Sequence, residues 1–381
     1  MELLAKILFN LTTSELLNVA SVSQQFKELS NDEMFHKNIT ININNENIET
    51  SSVFLSRAIR MKRLRIRSTP ILTFDDEDQL LYFRRRRKDF QCDPILLSLS
   101  NLQHLEELDV GQVYNRCQVK LSRSCLQDLT KTDWWLKLTH LSLTLEESKG
   151  NEDDERTIKA FSILSQCETI RHLNVSGLSR LLEQQLIMTF KGLTGLKLNQ
   201  CFKQTDIRSM INQFKTTIQI LDFGSNFFGP PLFSTIEECS NLQSLRQELD
   251  FLFTYEDYEW REEEIWKGGE WLNSDYDVIV DPVPLPFHIL TKLNHLRSVR
   301  LTLLNDLEVS NFILSQSLPQ LESLEILAFY SSSDMLSVLA SACPNLKKLE
   351  VKFYHGFVDR LDDQIIAVSE NCKKLETFKV T

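Results

Sequence analysis

Glycine and proline are both scarce in this chain, 10 and 9 among 381 residues. An ordinary glycine share of about 7% would supply roughly 27. Few positions are therefore left for the tight backbone turns that wrap phosphates. None of G-x-x-x-x-G-K-[ST], G-x-G-x-x-G, H-E-x-x-H or G-x-S-x-G occurs, which removes the usual phosphate-loop, dinucleotide, zinc-peptidase and serine-hydrolase signatures. No catalytic constellation is left, and no enzymatic activity is expected. No run of about 18 apolar residues is present, so no membrane span is expected. The first residues lack a small-residue cleavage site, so no secretory leader is expected. Positive charge is in deficit: 42 Lys and Arg face 53 Asp and Glu, a net charge of −11. That balance excludes a general affinity for nucleic acid or for anionic lipid. The eight cysteines include no C-x-x-C pair. Neither a metal site nor a cofactor is expected.

What the chain does have is a spacing that keeps returning. Cys343, Leu346, Leu349 and Val351 share their intervals with Cys372, Leu375, Phe378 and Val380, and with Cys167, Ile170, Leu173 and Val175. Weaker copies run through Leu105/Leu108/Val110, Leu138/Leu141/Leu143, Leu193/Leu196/Leu198, Ile218/Leu221/Phe223, Leu242/Leu245, Leu296/Val299/Leu301 and Leu321/Leu324/Ile326. The middle apolar residue recurs every 23 to 33 positions, apart from one step of 54. An L-x-x-L-x-L core at a period of about 20–29 is the signature of a leucine-rich repeat.

In L-x-L the two apolar side chains share one face of a strand and the residue between them takes the other. Amphipathic runs precede several copies: residues 155–167 with Ile158, Phe161 and Leu164, 333–343 with Met335, Leu336 and Leu339, and 363–372 with Ile365, Ile366 and Val368. The expected fold is an α/β leucine-rich-repeat solenoid, a curved parallel sheet with helices on its convex side. Cys167, Cys239, Cys343 and Cys372 occupy one repeat position. They read as reduced core thiols of a cytoplasmic or nuclear protein.

Residues 1–38 are not repeat-like. Leu3, Leu4, Ile7, Leu8 and Leu11 line one helical face, and Thr12 with Glu15 reads as a capping box for a second helix carrying Leu16, Leu17, Val19, Ala20 and Val22. Phe26 and Leu29 follow. This succession resembles an F-box: an acidic residue, a leucine pair, further apolar residues, a polar cap, a second leucine pair, Val22-Ser23 and an aromatic. The family's Leu-Pro ahead of the first helix is missing, because Met1 stands at its x, and Phe26 stands where Trp is usual. With the repeats behind it, the chain is similar to F-box/leucine-rich-repeat proteins. The expected organisation is a small all-α F-box-like unit over 1–38, N-terminally shortened, followed by a solenoid over 39–381 with insertions near 68–95 and 250–287.

The resemblance implies a non-catalytic substrate receptor of an SCF-type ubiquitin ligase. The F-box would bind the Skp adaptor, and through it the cullin-RING ligase, using Leu4, Ile7, Leu8, Leu11, Leu16, Leu17, Val22 and Phe26. The repeats would bind a substrate protein. The alternative is a leucine-rich-repeat scaffold with a vestigial F-box, outside ubiquitin chemistry.

Candidate substrate contacts come from two places. Outward strand positions flank and separate the core leucines: Glu107 and Asp109, His140 and Ser142, His172 and Asn174, Gly195 and Lys197, Asp222, Ser298 and Arg300, Ser323 and Glu325, Lys348 and Glu350, Thr377 and Lys379. They are polar almost throughout, and His140, His172, Asn174, Lys197, Asp222 and Arg300 are the ones singled out. His140 and His172 read as exposed strand residues with no third group beside them. The second place is 250–281, with 11 acidic against 2 basic residues. Tyr255, Tyr258, Trp260, Trp266 and Trp271 interleave there, a mixture that suits a basic partner. A basic run at 84–88 and a polar, acidic stretch at 148–154 read as solvated connections.

Overall fold

Strand formation in this chain follows its paired apolar residues. The computed structural model describes residues 38–43, 62–68, 90–93, 96, 104–112, 119–146, 148, 150–199, 202–224, 230–247, 288–303, 317–328, 335–353 and 361–380. The F-box-like stretch before residue 38, the basic run at 84–88 and the acidic, aromatic segment 250–281 lie outside them. The chain divides into two compact units, 1–193 and 194–381.

In the first unit the sheet runs β1 (Asn38–Ile43), β2 (Arg63–Ser68), β4 (Glu107–Gln112), β6 (His140–Thr144) and β7 (His172–Ser176), each parallel to the next. β3 (Phe90–Gln91) pairs with β5 (Val119–Lys120) in a separate ribbon. Leu64 and Ile66, Leu108 and Val110, Leu141 and Leu143, and Leu173 and Val175 are all buried. Three described α-helices accompany these strands: α1 (Arg123–Leu129), α2 (Asn151–Leu164) and α3 (Arg180–Thr189). Ser122 and Ser179 cap α1 and α3 with their hydroxyls, satisfying otherwise orphaned N–H groups.

The second unit repeats the arrangement with β8 (Gly195–Lys197), β9 (Ile220–Asp222), β10 (Ser244–Arg246), β11 (Ser298–Leu303), β12 (Ser323–Ala328), β13 (Lys348–Phe353) and β14 (Thr377–Val380), again all parallel. Its described helices are α4 (Gln204–Phe214), α5 (Pro230–Glu237), α6 (His288–Lys292), α7 (Met335–Ala342) and α8 (Leu361–Asn371). The alternation of parallel strand and helix in both units is compatible with a solenoid.

One backbone device joins neighbouring strands throughout. A carbonyl just ahead of one strand accepts two successive N–H groups at the start of the next: Glu106 O from Thr139 and His140, Thr139 O from Arg171 and His172, Gln243 O from Arg297 and Ser298, Glu322 O from Lys347 and Lys348. Polar side chains beside the first apolar residue of a copy reach back to the preceding turn. Asn241 Nδ2 donates to Thr216 O at 2.7 Å and Asn345 Nδ2 to Pro319 O at 2.8 Å. Thr169 Oγ1 donates to Leu138 O at 2.6 Å. The period therefore fixes hydrogen bonding as well as apolar burial.

The helical faces differ from the stripes expected of them. In α2 the buried set is Thr157, Ala160, Phe161 and Leu164, while Ile158 is 44% exposed. At 100° per residue, i, i+3, i+4 and i+7 share a face and Ile158 falls beside it. In α8 the buried positions are Gln364 and Val368, while Ile365 and Ile366 are 38% and 55% exposed. Gln364 turns inward because its Oε1 accepts the Leu336 N–H at 3.0 Å, capping α7 from the next helix. In α7 the expected Met335, Leu336 and Leu339 are all fully buried. Residues 151–154, read as part of a connection, form the first turn of α2, where Glu152, Asp153 and Asp154 face the positive end of the helix dipole.

Two features bolt the first unit together. Gly177, at φ +82°, passes so close to Leu145 that a Cβ would lie 2.0 Å from its carbonyl oxygen, so only glycine fits there. Arg123 is buried, and its guanidinium donates to Glu146 O, Asp154 Oδ1, Thr157 Oγ1 and Gly177 O at 2.9–3.1 Å. Those bonds tie α1 to α2 and to the turns that follow β6 and β7.

Candidate functional site

A strand whose odd positions are buried must present its even positions to the other face, and parallel pairing in register stacks those positions into rows about 4.8 Å apart. The first unit forms one such row from Arg63, Glu107, His140 and His172. Arg63 Nε lies 2.9 Å from Glu107 Oε1, which is 3.8 Å from His140 Nδ1. The imidazoles of His140 and His172 are stacked, centroids 3.9 Å apart and planes within 7°. Thr139 Oγ1 and His140 Nδ1 are 2.8 Å apart. The two histidines are thus half-buried and joined by Glu107 and Arg63, whereas the sequence alone reads them as exposed and without a third group.

Burial pushes the His140 imidazole below its ordinary range, with Glu107 opposing and Arg63 reinforcing the shift. Burial and the neighbouring His140 bring His172 down to about 4. Two imidazolium ions could not share this stack cheaply, so it is built for neutral rings near pH 7. The next rows are uncharged where they cross β6 and β7. Asn174 Nδ2 donates to Ser142 Oγ at 3.0 Å, and Ser176 Oγ to Thr144 Oγ1 at 2.9 Å.

In the second unit the row at the repeat position of Ser142 and Asn174, directly after the middle apolar residue, reads Lys197, Asp222, Arg246, Arg300, Glu325, Glu350 and Lys379. Lys197 and Asp222 are 4.0 Å apart, and Arg300 and Glu325 are 3.3 Å apart. Lys348, one row away, is 3.8 Å from Glu325 and 3.1 Å from Glu350, while Lys379 is 3.2 Å from Glu350. Hydrogen bonds from Lys348 and Lys379 hold the Glu350 carboxyl below the usual carboxylate range. Gly195 departs from the expected outward set, being buried.

The fold therefore brings His140, His172 and Asn174 together on one face, and gathers Lys197, Asp222 and Arg300 into one charged row. The adaptor-contact residues from Leu4 to Phe26, and Tyr255, Tyr258, Trp260, Trp266 and Trp271, lie outside the described residues. Sequence reasoning misses Arg63 and Arg246. A signal for both exists, since Arg63 precedes the core residue Leu64 on β2 and Arg246 follows Leu245 on β10.

The six described cysteines are free and buried. Desolvation raises the thiols of Cys125, Cys239 and Cys343 to about 12, so they stay protonated and make poor nucleophiles or metal ligands. Among the described residues, no group of three or more His, Cys, Asp and Glu could hold a metal ion. No described helix is long and apolar enough to cross a membrane.

No curated protein matches the chain. The family model described as the F-box domain matches residues 1–38. Domains of this kind typically bind the Skp adaptor within SCF complexes, and proteins that carry them are generally non-catalytic receptors. The chain thus carries an F-box domain at residues 1–38, which points to a role in substrate recognition for SCF-type ubiquitin ligases.

Proposed function

We propose that this chain is the substrate-recognition subunit of an SCF-type ubiquitin ligase. The F-box docks to the Skp adaptor and through it to the cullin-RING ligase, and leucine-rich repeats over 39–381 hold the substrate protein. The F-box match at 1–38 carries this reading. The polar rows of the parallel strands in each unit, kept clear of the core by register, support the second half of it. The receptor acts by proximity: holding adaptor and substrate at once raises the local concentration of a substrate lysine beside the charged conjugating enzyme. Cytoplasm or nucleus is the compartment that fits reduced core thiols.

Leu4, Ile7, Leu8, Leu11, Leu16, Leu17, Val22 and Phe26 supply the adaptor surface in this reading. The segment 250–281 supplies the selective contacts to a basic substrate, with acids steering the encounter and Trp260, Trp266 and Trp271 anchoring it. Purified full-length protein should retain the purified adaptor in a pull-down. Leu8→Ala combined with Leu11→Ala should weaken that binding by about 2 kcal/mol or more, as truncated interface anchors do. No binding of the wild-type chain at micromolar adaptor would remove the ligase reading and leave the scaffold with a vestigial F-box.

A further inference from the structure

The charged row of the second unit departs from alternation at two rungs. Arg246 on β10 and Arg300 on β11 are directly opposed in the register, and so are Glu325 on β12 and Glu350 on β13. Every other described rung of that row sets a cation next to an anion. Like charges directly opposed on adjacent strands destabilise a sheet. For the two glutamates the chain supplies its own remedy, because Lys348 stands 3.8 Å from Glu325 and 3.1 Å from Glu350. The arginine rung is where an anion from outside would do the same.

The surroundings of the arginine rung point the same way. Asp222 is engaged by Lys197 and by the Gly224 N–H at 2.9 Å, and Glu325 is shared between Arg300 and Lys348. Arg246 is exposed, and its side chain has no ion-pair or hydrogen-bond partner among the described residues. Beside the two guanidiniums in the adjacent row stand Ser244 and Ser298, also directly opposed. The Ser244 hydroxyl is buried and has no hydrogen-bond partner among the described residues. The two central outward rows of this unit hold five basic residues (Lys197, Arg246, Arg300, Lys348, Lys379) and three acidic ones (Asp222, Glu325, Glu350). This face is cationic in a chain whose net charge is −11.

From these observations we infer that Arg246 and Arg300 form an oxyanion-binding site on the outward face of β10 and β11, taking a carboxylate or phosphate presented by a bound protein. A planar guanidinium presents paired N–H donors that match the oxygens of either group. One anion between two cations turns a repulsive rung into an attractive one, and Ser298 adds a hydroxyl donor from the neighbouring row. The site rests on the proposed receptor role and deepens it, because it lies on the face offered to the substrate. It concerns a part of the substrate other than the basic surface assigned to 250–281.

The test uses the full chain and dye-labelled Gly/Ser peptides that differ at three spaced positions, filled by Glu, by phosphoserine or by Ser. Fluorescence anisotropy at low salt reads their binding. At least one acidic peptide should bind saturably, and Arg246→Gln or Arg300→Gln should weaken it tenfold or more. Lys352→Gln, which removes a charge of the same sign from an exposed outward position of β13, should change it less than twofold. Arg246→Lys keeps the charge and loses the fork, and should fall between wild type and Arg246→Gln. Preference for phosphoserine identifies a phosphate site, and equal binding of the Glu peptide a carboxylate site. Because Arg246 is exposed, Arg246→Gln should keep the wild-type circular dichroism and melting curve. Absence of saturable binding to both acidic peptides, or equal losses in Lys352→Gln and Arg246→Gln, would overturn the assignment. Adaptor binding is measured separately, so failure of the ligase reading and failure of this site remain distinguishable.

Discussion

The two units are built from the same strand-and-turn pattern and carry different chemistry on the same outward positions. Where β6 meets β7 in the first unit, the rows are neutral: two stacked imidazoles, an amide on a hydroxyl and a hydroxyl on a hydroxyl. In the second unit the row at the repeat position of Ser142 and Asn174 is ionic instead, from Lys197 beside Asp222 to Lys379 beside Glu350. The inward positions of both are mostly interchangeable leucine, isoleucine and valine. The repeat thus constrains only what packs. Outward residues answer to their neighbours in the row, so adjacent repeats can be tuned as a surface without disturbing the core.

The sharpest way to break the comparison is at Arg123, which has no counterpart among the described residues of the second unit. Arg123→Ala removes four hydrogen bonds at once and leaves Asp154 and Thr157 facing a buried gap. A loss of about 2–3 kcal/mol is expected, because buried acceptors lose their donor while Asp154, 35% exposed, can be hydrated. Urea denaturation measures the loss, and amide exchange should locate it in α1, α2 and the strands beside them. A change below about 1 kcal/mol would show that the first unit does not depend on this bolt.

A smaller effect concerns the neutral histidine rung. In the unfolded chain His172 takes a proton near pH 6.5, and in the fold only near pH 4. Between those values the unfolded chain binds more protons, so stability falls as the pH drops from about 6.5 towards 4 and is unaffected above. His172→Gln should therefore lose less stability than wild type between pH 7 and pH 5, read as the shift in urea midpoint. Equal shifts in the two proteins would refute the neutral stack. The Glu350 carboxyl, held below the usual carboxylate range by hydrogen bonds from Lys348 and Lys379, should add no such dependence between pH 7 and pH 5.

The smallest effect belongs to those charged rungs themselves. Lys379→Ala removes one half-exposed ion pair with Glu350 and is expected to cost under about 1 kcal/mol, less in high salt. A larger, salt-independent loss would mean that the ladder of the second unit supports the fold as well as the surface.

Strands and the faces of their side chains were legible from the amino acids alone. The L-x-L spacing places Leu349 and Val351 inside and Lys348 and Glu350 outside because side chains alternate along a strand. The buried thiols were legible for the same reason, since a cysteine at a fixed repeat position meets the same gap each time. The helix faces were less legible. Ile365 and Ile366 looked like core on composition, yet a helix buries only a stripe, and Gln364 claims that stripe by capping α7. Which outward residues meet is a property of the folded chain. His140 and His172 are 32 positions apart, and their stacking depends on parallel register between β6 and β7. Arg246 and Arg300 are separated by 54 positions, most of them the acidic segment, and they oppose each other because β10 and β11 pair across it. Periodicity fixes which face a side chain takes, whereas its partner on that face is set by long-range pairing that no local pattern records.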